Sequence, residues 1–141
     1  MVASAAITIE QLTEWLRRFH ELVIKNQTEL TDLDSAIGDA DHGINMARGM
    51  TAVIDKLDGF QTGHVNELFK TVAMTLVMSV GGASGPLYGT FFLRFAGAAG
   101  PAIELDTAIL QRVSGAIHER LQDAHEYVAC RMRRGSSTTL K

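Results

Sequence analysis

The chain has 141 residues, 46% of them hydrophobic and 21% charged, with a net charge of −3. That length suits one domain whose core buries roughly 68% of the unfolded surface, and the acidic balance excludes a nucleic-acid binder working through a bulk basic surface. The single Cys130 excludes an intrachain disulfide framework, and no apolar run approaches the ~18 residues of a membrane span. Met1 to Ile7 is small and apolar without a basic start, so it is not a signal peptide, and the expected compartment is the cytoplasm.

Residues 1–7 read as a loose lead. Thr8 and Gln11 have the spacing of a capping box. Ile9, Leu12, Trp15, Leu16, Phe19, Leu22 and Val23 then recur at helical spacing, predicting an amphipathic helix to about residue 26 with Trp15 in the core. Residues 28–33 predict a short helical turn. After Gly43 a helix runs to about Leu57, with Met46, Met50, Val53, Ile54 and Leu57 inward, and Asp58-Gly59 stops it. Val65, Leu68, Phe69, Val72, Leu76 and Val77 mark a helix to about Val80. Pro86 suits the first position of the next helix, Leu87 to Ala98, with Ser84 as an upstream capping hydroxyl and Leu87, Phe91 and Phe95 on one stripe. Asp106 or Thr107 opens a last helical pattern through Ile109, Leu110, Val113, Ile117 and Leu121. From there the composition turns basic, then Ser/Thr-rich, and reads as a frayed tail. No strand alternation stands out, so the fold class is all-α, a bundle of helices joined by short Gly-rich turns.

The chemistry concentrates between Leu33 and Asn45. Asp34, Asp39 and Asp41, with His42, fall within nine positions, separated by Gly38 and followed by Gly43. Hard divalent cations such as Mg²⁺ take oxygen ligands, and three carboxylates crowded together repel one another unless a cation neutralises them. The plain structural reading is a turn in which Asp41 caps the following helix. An EF-hand does not fit: counting from Asp39, the fifth position is Gly43 and the twelfth is Met50, where a carboxylate or amide and a Glu are needed. The loop precedes a helix N-terminus, whose outward N–H groups favour anions, so a cation would make carboxylates and phosphate compatible there. Gly81-Gly82-Ala83-Ser84-Gly85-Pro86 has two readings, a C-cap running into an N-cap or a cradle of bare amides and a hydroxyl for phosphate. It is not a Walker A loop, since no Gly-Lys-Ser/Thr follows. The five histidines have no zinc spacing.

Two long motifs, Asp34 to Asn45 and Met74 to Phe92, together resemble the nucleotide-binding L subunit of dihydroxyacetone kinase over roughly residues 8–120. The resemblance implies an antiparallel helical barrel holding ADP or ATP at one end. It implies two Mg²⁺ ions on Asp34, Asp39 and Asp41, with nucleotide contacts from His42, Gly43, Ile44, Asn45, Ala83 and Ser84. It further implies phosphoryl transfer to dihydroxyacetone held on a separate K subunit, so that no catalytic base is expected in this chain. A free-standing L chain starting at its own Met1 resembles the bacterial phosphotransferase-system version. There ADP stays bound and an M subunit, fed from phosphoenolpyruvate, rephosphorylates it.

The resemblance ends after His118-Glu119-Arg120. The family's Gly-Asp-Lys-Thr-Met segment, a later nucleotide-contacting Arg and a final Asp-Pro-Gly loop have no counterpart. The expectation is therefore a partial L domain over 8–120 and a divergent tail over 121–141, such as a frameshift would produce. A barrel short of its last helices is expected to expose apolar faces, bind ADP less well and turn over poorly. The alternative is an inactive helical module acting only as a binding or regulatory partner, and self-association as a homodimer stays open. A bare metal protein is disfavoured, because it has no use for a second phosphate-type loop.

Overall fold

The computed structural model describes residues 6–119 and 122. The lead over 1–5 and the tail expected at 121–141, apart from residue 122, lie outside the described residues. In chain order the elements are β1 (Ile7–Thr8), α1 (Ile9–Lys25), α2 (Gln27–Ser35), α3 (His42–Asp58), α4 (Val65–Ser79), α5 (Ser84–Ala99) and β2 (Glu104–Leu105), then a helical stretch over 107–119. The architecture is a helical bundle, as the periodicity predicts.

α1 begins where the capping box places it. Thr8 Oγ1 accepts from the Gln11 N–H, and Gln11 Oε1 accepts from the Thr8 N–H. The same residues carry a feature the sequence does not announce. Ile7 and Thr8 pair antiparallel with Leu105 and Glu104. Two residues per strand are too few to show alternation. The bridge ties the start of α1 to the segment after α5 and buries Leu105. The 107–119 helix starts on Asp106, whose Oδ1 accepts the Ile109 N–H at 2.7 Å.

α3 is the hub, packed against α1, α2, α4 and α5. Met46, Met50, Val53 and Leu57 are buried as their spacing predicts, and Ile54 is half-buried. α1 runs antiparallel to it, since Arg17 pairs with Asp58 and His20 bonds Thr51. α4 also runs antiparallel to α3: Gly81 lies at Asn45, and Gly49 lies against Val80 and Leu76.

α4 and α5 form the most extensive helix pair, and here the expected stripe is wrong. The buried face of α5 is Gly85, Gly89, Phe92, Ala96 and Ala99, while Leu87 is 65% exposed, Phe91 is exposed and Phe95 is half-buried. Small residues win because they let the backbones touch. A Cβ on Gly89 would overlap Val77 and stand 3.3 Å from the Ala73 carbonyl oxygen. A stripe of large residues at the same spacing cannot enter so narrow a gap.

Trp15 departs from expectation in part. Its ring packs edge-on to Phe69 and Phe92, yet it is 45% exposed, and Met78 on α4 is 82% exposed. Apolar surface is therefore uncovered on α1, α4 and α5. Among the described residues, no helix is long and apolar enough to cross a membrane.

Candidate functional site

Asp34 lies in the last turn of α2, which runs one residue further at its start and two further at its end than the expected 28–33. Asp39 stands on the connecting loop, and Asp41 occupies the N-cap position of α3. One oxygen from each lies within 4.8 Å of the others. The structure thus brings together the three carboxylates singled out as metal ligands.

Two backbone features close this loop. Gly38 folds over Asp34: its N–H donates to the Asp34 carbonyl at 2.6 Å, and the Asp34 carboxylate fills the place of a Cβ. Ala40 takes a left-handed φ of 60°, costly for a residue with a Cβ. Such strain persists only where surrounding contacts hold it.

The capping alternative is resolved by a residue on another helix. Asp41 makes no side-chain cap bond. Instead Asp34 Oδ2 accepts the N–H groups of Asp41 at 3.1 Å and His42 at 3.3 Å. Asp34 caps α3 from outside, with the electrostatic benefit of a carboxylate at a helix N-terminus. A hydrogen bond with the Asp41 carboxyl raises the pKa of Asp39 above its ordinary value, and repulsion from Asp41 and Asp34 adds to it. Crowded carboxylates of this kind are ones that a cation relieves.

The donor set fits a hard cation. All three groups offer carboxylate oxygens, the donors that a hard cation such as Mg²⁺ takes.

A side-chain contact joins the end of the Gly-rich turn to the start of α3. His42 Nδ1 and Ser84 Oγ lie 3.0 Å apart. Ser84 does not cap from upstream as expected. It is the first residue of α5, with Ala83 in the cap position and Pro86 two residues further in. Its hydroxyl is therefore spent on His42, and the N-termini of α3 and α5 are joined. Gly82 makes the turn with a φ of 64°.

The remaining expected contacts separate by environment. Asn45 is 6% exposed and lies against Gly81. Ile44 and Ala83 are exposed at the two helix starts. Gly43 is buried for a packing reason: a Cβ there would overlap the Gln27 carbonyl oxygen and stand 2.5 Å from Thr31 Oγ1. Sequence reasoning missed Arg48, which donates to Asn45 Oδ1 at 2.6 Å and to the Ser79 carbonyl at 3.0 Å. The available signal was its spacing, three residues after Asn45 on the same helix face.

This is a mostly helical domain with a carboxylate cluster set beside the N-termini of two helices. The chain belongs to the DAK2 domain family, which matches residues 36–138. That match begins just past Asp34 and continues beyond residue 120. The chain is similar to the ADP-binding subunit DhaL of the PTS-dependent dihydroxyacetone kinase of Lactococcus lactis, 53% identical over 87 residues, or 62% of this chain and 45% of the relative. It is 48% identical over 86 residues to the ADP-binding subunit DhaL of the PEP-dependent dihydroxyacetone kinase of Escherichia coli, covering 61% and 41%. A counterpart in Listeria innocua, from PEP-dependent dihydroxyacetone kinase 1, is 53% identical over 79 residues, covering 56% and 40%. The chain spans less than half the length of each of these relatives.

Proposed function

We propose that this chain binds ADP or ATP with Mg²⁺ as the nucleotide-binding part of a dihydroxyacetone kinase, of the phosphoenolpyruvate-dependent type. The observation that supports it most is the convergence of Asp34, Asp39 and Asp41 beside two helix N-termini that His42 and Ser84 hold together. Asp34, Asp39 and Asp41 would hold Mg²⁺. The bound cation would neutralise phosphate charge, which is most of what phosphoryl transfer asks of a protein. The start of α5 would face phosphate, with the Ser84 hydroxyl and His42 ring beside it, while Asp34 takes the first N–H groups of α3. Dihydroxyacetone would sit on a partner K subunit and the phosphoryl donor would be an M subunit, so this chain positions phosphate and leaves proton transfer to its partner.

Calorimetric titration with ADP tests the reading. Binding is expected in Mg²⁺, with loss in chelator and in Asp39→Asn. Equal heats with and without Mg²⁺, or none in either, would overturn it. The exposed Trp15, Met78 and Leu87 favour a second reading, a helical module that binds a protein partner without handling nucleotide. Its mark is a cooperative melt that ADP and Mg²⁺ leave unmoved.

A further inference from the structure

Arg48 touches both halves of the site. Its Nε donates to the carbonyl of Ser79, the last residue of α4, where the helix dipole favours a cation. One Nη donates to Asn45 Oδ1. Gly81 stands against the pair: a Cβ there would be 3.1 Å from Asn45 Oδ1 and 3.2 Å from Arg48 Nη2. An arginine only donates, so the Asn45 atom facing it must be the oxygen, and the NH₂ must turn the other way. A side-chain amide rotated by half a turn would offer Arg48 two hydrogens.

We propose that Arg48 is a positioning residue: it fixes the buried Asn45 amide with its NH₂ presented to the nucleotide. This rests on the nucleotide-binding reading of the site. The chemistry is that of an anionic ligand. An NH₂ donates to a phosphate or ribose oxygen, whereas a rotated amide would present its carbonyl and repel it. The charge-assisted bond from Arg48 makes the first orientation the stable one.

The test is a double-mutant cycle on ADP affinity in saturating Mg²⁺, with thermal melts of every variant. Arg48→Met is expected to weaken ADP by about 10–100-fold, in line with the loss of a hydrogen bond made by a charged group. Asn45→Ala should cost a similar factor. Because Arg48 acts through Asn45, the double variant should bind no worse than Asn45→Ala alone, within about threefold. Asn45→Asp keeps the acceptor for Arg48 and should melt as high as the unaltered chain, yet bind ADP at least about tenfold more weakly. Arg48→Lys, one nitrogen in place of a fork, should recover only part of the affinity. Multiplying effects in the double variant, or unaltered affinity in Arg48→Met, would overturn the proposal. If Arg48→Met does not melt cooperatively, Asn45→Asp decides: binding as tight as the unaltered chain overturns it. No ADP binding by the unaltered chain would defeat the nucleotide reading itself, and this proposal with it.

Discussion

Gly43→Ala is the most informative single change, because it moves two helices without touching a carboxylate. Both atoms facing the new Cβ belong to α2: the Gln27 carbonyl oxygen, which it would overlap, and Thr31 Oγ1 at 2.5 Å. The second contact alone falls about 0.9 Å short of an ordinary 3.4 Å approach, and a backbone carbonyl inside a helix cannot swing aside. α2 must therefore move away from α3 by about 1 Å, carrying Asp34 with it. The bonds from Asp41 and His42 to Asp34 Oδ2, already 3.1 and 3.3 Å, would then exceed hydrogen-bonding distance. Overpacking of this kind costs about 1–3 kcal/mol, against a gain of ~1 kcal/mol in helix propensity. The expected net loss is about 0–2 kcal/mol in urea unfolding, together with a Mg²⁺ affinity lower by about 10–100-fold, the cost of disturbing the groups behind metal ligands. A Gly43→Ala chain as stable as the original, with unchanged Mg²⁺ affinity, would refute the account of how α2 and α3 build the cluster.

Other outcomes follow from single contacts. Ala40→Gly should leave the melting temperature unchanged or raised, while Ala40→Val should destabilise by more than about 1 kcal/mol, because a branched side chain tolerates a φ of 60° least. The raised pKa of Asp39 fixes the sign of a pH effect. Without metal, its contribution to stability is complete below the unfolded pKa near 3.8 and is lost as pH rises through the raised folded value. Mg²⁺ needs the ionised form, so the extra stability conferred by Mg²⁺ should grow over that same acidic window, as melts with and without the ion would show. Ser84→Ala removes the bond to His42 and should cost about 0.5–1.5 kcal/mol of stability; a larger fractional loss in ADP affinity would mark the hydroxyl as a phosphate contact. Met78→Gln and Leu87→Gln, at 82% and 65% exposure, should change stability by under about 0.5 kcal/mol and reduce concentration-dependent light scattering.

What the sequence disclosed was whatever depends on periodicity or on neighbours in the chain. The Thr8–Gln11 box, the buried stripe of α3 and the convergence of three aspartates are all local or periodic. What it hid depends on distance in the chain. Asp34 caps α3 across a loop, a role that no spacing rule for capping boxes describes. Asp41 holds the cap position but not the cap bond. The β1–β2 bridge joins residues almost a hundred apart and is too short to alternate. On α5, large residues and small ones both recur at helical spacing, and only the closeness of α4 shows that Gly85, Gly89, Phe92 and Ala96 face inward. Gly43 carried a functional reading by resemblance, and the fold gives it a packing reason as well. Arg48 looks like an ordinary surface charge until Ser79 and Asn45 are brought beside it.

The most direct test of the central claim is thermal unfolding of the full chain in Mg²⁺, with and without excess ADP, beside Asp39→Asn. ADP at about a hundred times its dissociation constant should add roughly 2.7 kcal/mol of stability. A clear upward shift that disappears in Asp39→Asn is expected. A cooperative transition that ADP and Mg²⁺ do not move would contradict it.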